Sequence, residues 1–149
     1  MTSLKDRLHQ EMTAAMKAGD RPRLGALRML AAAVTNREKE VLHDLTDDEV
    51  REVAAKEVKK RTESLEIFEQ AGRPELADKE RAEREVLLAY APEQLDEAAV
   101  DALVDEAIGA TGASGPQDFG KVMGLVMGKA KGRVDGSVVQ QKVRARLGG

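Results

Sequence analysis

The chain contains no cysteine, and its only aromatic residues are Phe68, Tyr90 and Phe119. Without cysteine there is no disulfide framework, no thiolate metal site and no thiol nucleophile. With so few aromatics, a core has to be built from Leu, Val, Met and Ala, and all of these but Val are good helix formers. No apolar run approaches the roughly 20 residues of a membrane-spanning helix, and residues 1–7 lack the apolar stretch of a signal peptide. A cytoplasmic location is the expectation from both absences. The motifs G-x-x-x-x-G-K-[ST], G-x-S-x-G and H-E-x-x-H are also missing, so no nucleotide, nucleophile-elbow or zinc chemistry is indicated. No cofactor, metal or catalytic residue is expected.

What is present is a chain of 149 residues with helical periodicity throughout. That length suits one domain or two small ones, and a chain of this size buries about 70% of its unfolded surface. Ser3 is placed to cap a first helix over 4–18, with Leu4, Leu8, Met12, Ala15 and Met16 on one face and Gly19 to end it. Asp20 and Pro22 open a second helix with a broad apolar stripe from Leu27 to Val34. Thr46-Asp47-Asp48-Glu49 reads as a capping box for a third helix over 47–71, and Gly72 and Pro74 separate it from a fourth that ends near Tyr90. Two charged surfaces are expected to be solvated and laced with ion pairs. One runs through Asp78, Lys79, Glu80, Arg81, Glu83, Arg84 and Glu85. The other carries Glu49, Glu52, Glu57, Glu63, Glu66 and Glu69 among Lys56, Lys59, Lys60 and Arg61. The histidines His9 and His43 sit in no ligand spacing and read as surface residues.

Ala91-Pro92 is the best boundary, because proline disfavours helix at the preceding residue. Beyond it, Asp96 caps a helix over 97–109, a short loop follows, a sixth helix covers about 117–130, and Asp135 caps a last one over 136–147. The fold class is therefore all-α, with a helical N-terminal domain at 1–92 and a small three-helix C-terminal domain at 93–149.

Charge is unevenly spread along this plan. Residues 1–118 hold 17 basic and 26 acidic side chains, whereas residues 119–149 hold 7 basic and one acidic. A basic end on an acidic protein reads equally as a mark of a polyanion partner and as a well-solvated terminal helix. The same segment has glycines spaced by four at Gly120, Gly124, Gly128 and Gly132, although each interior helical glycine costs about 1 kcal/mol relative to alanine. Gly120 and Gly124 read as close-approach glycines. On helix geometry the approaching body is a packed neighbouring helix sooner than a phosphodiester backbone, and Gly132 serves a turn. Lys121, Lys129, Lys131 and Arg133 lie along and around that turn, and Lys142, Arg144 and Arg146 follow on the last helix. No aromatic residues interleave with these cations, so recognition of folded RNA by shape and backbone fits better than stacking along a single strand.

These residues carry a resemblance. Phe119-Gly120-Lys121-Val122-Met123-Gly124, then Lys129-Ala130-Lys131-Gly132-Arg133-Val134-Asp135-Gly136, Val138-Val139 and Val143-Arg144 resemble the C-terminal signature of YqeY-like proteins. A related pattern marks the tail of the B subunit of glutamine-dependent tRNA amidotransferases. Leu27-Arg28-Met29-Leu30, Phe68-Glu69-Gln70-Ala71-Gly72-Arg73 and Tyr90-Ala91-Pro92-Glu93-Gln94-Leu95 extend the resemblance over nearly the whole chain. It implies a non-catalytic module that binds tRNA or another folded RNA, since the amidotransferase tail contacts the tRNA elbow and performs no chemistry. The implied contacts are Lys121, Lys129, Lys131, Gly132 and Arg133, with Lys142, Arg144 and Arg146 added from the last helix. The alternatives are a protein-interaction adaptor and a component of carbon–nitrogen ligase activity with glutamine as amido donor. Neither a membrane nor DNA is an expected partner.

Overall fold

A computed structural model describes residues 2–148. The described residues form seven α-helices and no strand, so the fold is all-α. The chain divides into two compact units, Met1–Pro92 and Glu93–Gly149.

The first unit holds α1 (Leu4–Ala18), α2 (Arg21–Val41), α3 (Asp47–Gln70) and α4 (Pro74–Leu88). Local chemistry fixes their ends. Ser3 and Asp6 form a reciprocal capping box at α1, and Thr46 and Glu49 form another at α3. Each box satisfies two backbone donors that would otherwise lack partners. Gly19 and Gly72 take the left-handed backbone, with φ of 69° and 68°, that lets the chain reverse after α1 and α3. Leu8, Leu27, Leu30, Val50, Leu87 and Tyr90 are fully buried in one aliphatic core, and burying each leucine stabilises by about 1.5–3 kcal/mol. Arg7 places its guanidinium 5.1 Å from the centroid of the Tyr90 ring.

Two expectations fail in this unit. Met16, placed on the inner face of α1 by periodicity, is 57% exposed. The stripe drifts around the helix, and of the two neighbours expected on that face only Ala15 is buried. The charged surfaces of α3 and α4 are not wholly solvated either. Arg61 lies in the seam between these helices, its Nε 3.0 Å from Glu83 and 3.7 Å from Glu80, with Glu57 at 3.8 Å from its Nη2. The side chains of Glu57, Glu80, Glu83 and Arg61 are all less than one-fifth exposed. Burial, with Glu83 adding repulsion, raises the Glu80 carboxyl above the usual carboxylate range. His9 and His43 are exposed, as expected.

The second unit holds α5 (Glu97–Thr111), a 3-10 turn at Pro116–Asp118, α6 (Phe119–Ala130) and α7 (Gly136–Leu147). Asp96 caps α5 and Asp135 caps α7 through side-chain oxygens. Helix α5 runs two residues beyond the expected stop, because Gly112, with φ of 65°, terminates it and Gly109 is simply an exposed helical glycine. Val100, Val104, Val122, Val126, Val139 and Val143 form the centre of this core. Valine is stiff and compact, so three short helices can close on one another with little side-chain entropy to lose. No described helix is long and apolar enough to cross a membrane.

Candidate nucleic-acid interface

Helix α6 turns about 100° per residue, and its sequence divides it into two sides. Val122, Val126 and Ala130 are buried in the core. Gly120, Lys121, Gly124, Leu125 and Gly128 are exposed on the opposite side, and Lys129 is exposed at the edge of the buried side. A Cβ built on Gly120, Gly124 or Gly128 meets no heavy atom within 4 Å. The expectation that Gly120 and Gly124 accept a neighbouring helix of this chain is therefore wrong. The core needs only the other side of α6, and the glycines leave a bare backbone strip facing outward.

The strip runs into a tight turn. Gly132 has φ of 76°, a conformation most readily supplied by glycine. The turn is held by the segment that opens this unit. The carbonyl of Arg133 accepts from the amide of Leu95 at 2.8 Å, and the carbonyl of Gly132 accepts from the Gln94 side chain at 3.0 Å. Arg133 donates its Nε to the Glu93 carbonyl at 3.0 Å. That bond orients the guanidinium without neutralising it. Lys131 is exposed at the C-cap of α6.

The remaining cations differ in a way that sequence distance hides. The unit from 93 to 149 holds 7 basic and 8 acidic side chains, so its positive character depends on where the acids sit. Glu97, Asp101 and Asp105 recur every four residues on α5 and face α7. Lys142 meets Asp101 at 2.8 Å and Glu97 at 3.2 Å, and Arg146 meets Asp105 at 2.6 Å and Asp101 at 3.1 Å. Hydrogen bonding from Lys142 holds the Asp101 carboxyl below the usual range, and the same contact holds the Lys142 ammonium above its own. Lys129 reaches Glu106 at 2.8 Å. Among the described residues, Lys121, Lys131, Arg133 and Arg144 make no ion pair. Arg144 lies 200° around α7 from Lys142 and places its guanidinium 5.2 Å from the centroid of the Phe119 ring.

The arrangement thus sets Lys121 and the glycine strip on the exposed side of α6, with exposed Lys131 and the partly exposed Gly132 and Arg133 at the turn that follows, and assigns Lys142 and Arg146 to the α5–α7 seam. Asp135 occupies the amides that open α7, accepting from the Ser137 amide at 2.9 Å, so these amides are not an open anion site. Sequence reasoning missed Phe119 as a partner of Arg144. The 25 positions between them conceal that the start of α6 meets the end of α7. Chemically, such a surface suits a partner with closely spaced negative charges and a firm outline.

Comparison with known proteins places the chain in a family. The family model for the YqeY-like proteins matches residues 5–147. The chain is 32% identical over 145 residues to altered inheritance of mitochondria protein 41, mitochondrial, of Pyrenophora tritici-repentis, covering 95% of this chain and 80% of that protein. It is 32% identical over 148 residues to the E subunit of the glutamyl-tRNA(Gln) amidotransferase of Thermococcus gammatolerans, covering 96% of this chain but only 23% of that subunit. With all but the first residue of its helical span matched and the glycine–lysine segment inside the match, the chain belongs to the YqeY-like family.

Proposed function

We propose that this chain is a non-catalytic tRNA-binding module of 1–92 and 93–149 as two domains, and that the exposed side of α6 with the 131–133 turn is its contact surface. The observation that carries the reading is the separation of charges in the second unit. Its α5 acids neutralise Lys142 and Arg146, while Lys121, Lys131 and Arg133 make no ion pair among the described residues and flank an open glycine backbone. A rigid phosphodiester chain can approach such a helix more closely than one bearing larger side chains. Lys142 and Arg146 belong to the contact set only if RNA displaces Asp101 and Asp105. The likeness to an amidotransferase subunit supports tRNA as the folded RNA. Because the match covers under a quarter of that subunit, it supports a binding role sooner than the ligase chemistry of the whole. On this reading the chain works in the cytoplasm.

The test is binding of the full chain to tRNA over a salt series. Four contacts, from Lys121, Lys131, Arg133 and Arg144, give a log–log slope of about −3, at roughly 0.7–0.9 per phosphate. Replacing Lys121, Lys131 and Arg133 by alanine reduces the slope to about −1. An unchanged slope rejects the surface. A second reading has one observation behind it, namely Leu125, which is 45% exposed on this same side of α6. A protein partner would use it, and capture that survives nuclease and high salt would favour that reading.

A further inference from the structure

A shallow notch of about 250 Å³ opens between the start of α6 and the end of α7, lined by Pro116, Phe119, Arg144 and Leu147. Leu147 closes its floor from within the core, and Phe119 is half-buried beside it. The Arg144 guanidinium lies over the Phe119 ring. Lys142 and Arg146, two residues away on either side, are both tied to carboxylates, whereas Arg144 has no carboxylate partner among the described residues. Its side chain is exposed.

We propose that this notch seats a single unstacked nucleobase, with the base resting against the Arg144 guanidinium and the Phe119 edge and the attached phosphate drawn by the Arg144 charge. Aromatic rings and guanidinium planes are the surfaces on which proteins stack splayed-out bases. The volume is below the roughly 300–1,000 Å³ typical of drug-sized ligand pockets, which suits one planar ring system. A lone aromatic cannot track successive bases, so the notch reads one base at a bulge, loop or end. The inference rests on the RNA-binding reading and adds to its salt-dependent phosphate contacts a stacking contact on one base.

The experiment uses the full chain with fluorine-labelled phenylalanine. There are only two such residues, and a Phe68→Leu variant assigns the signals. Adenosine 5′-monophosphate is titrated against ribose 5-phosphate, which has the same phosphate and no base. The Phe119 signal should move much further with the nucleotide than with the sugar phosphate, which engages only the Arg144 charge. Arg144→Lys keeps the charge and removes the plane, and is expected to weaken the nucleotide response about tenfold, since stacking is worth roughly 1–3 kcal/mol per base. Equal movement with both ligands, or no movement with either, overturns the proposal. The Lys121, Lys131 and Arg133 triple variant should keep the nucleotide response while losing tRNA affinity. That separates failure of the notch from failure of the tRNA surface.

Discussion

Gly124→Ala adds one methyl group to the outward side of α6, where no heavy atom lies within 4 Å of the new carbon. The backbone there is ordinary helix, so alanine introduces no strain. Alanine also has less conformational freedom to lose on folding than glycine, and the gain is about 1 kcal/mol. In a domain of roughly 60–100 residues that corresponds to a rise in melting temperature of about 4–8 °C. Gly120→Ala and Gly128→Ala meet the same open space, and the three together should gain about 2–3 kcal/mol, taking each helix position as independent. Thermal unfolding followed by circular dichroism measures the gain, and amide exchange at Val122 and Val126 assigns it to the second unit. The function predicts the opposite sign for binding. Each methyl holds a phosphate backbone away from the helix, so the triple variant should be more stable and bind tRNA more weakly. A fall in melting temperature on Gly124→Ala would show that the position is packed and would refute the reasoning. A stabilised variant with parental affinity would leave the glycines unexplained.

Arg61→Met should destabilise the first unit by about 3–5 kcal/mol at neutral pH, because it removes the cation between the buried carboxylates Glu80 and Glu83, whereas Glu57 keeps Lys60 at 3.0 Å; urea unfolding measures this. Glu80 has its carboxyl raised by burial, so its favourable contribution is complete below the ordinary carboxylate value and is lost as pH rises through the raised one. Glu80→Gln should flatten that decline in a stability–pH profile. Asp101 is held low by Lys142 and Arg146, so its contribution is present above the ordinary carboxylate value and disappears as pH falls through the lowered one. Asp101→Asn should remove that acid-side loss and, by taking away the carboxylate that Lys142 and Arg146 share while Glu97 and Asp105 remain, tighten tRNA binding at low salt in an anisotropy titration.

Much of the fold could be read from residues alone because its punctuation is chemical. Ser3, Thr46, Asp96 and Asp135 each cap the helix they precede, and Gly19 and Gly72 take the left-handed turns their positions suggested. What failed was information about facing partners. Glu80 and Glu83 look like surface acids in a charged run, and only the approach of α3 shows that Arg61 draws them inward. The glycine stripe had two readings because a one-dimensional spacing cannot say whether a neighbour sits over it. In the second unit the net positive charge of residues 119–149 was visible. Its partial cancellation was not, since Glu97, Asp101 and Asp105 lie 41 to 45 positions from the cations they meet. Phe119 and Arg144 were separated in the same way.

The outward side of α6 and the bend after it can be watched directly by following backbone amide signals of the labelled full chain as tRNA is added. Changes should concentrate at Gly120, Lys121, Gly124, Gly128 and residues 131–133, and fade as salt is raised. Changes centred on the first unit, or on the α5–α7 seam with 120–133 silent, would contradict the account.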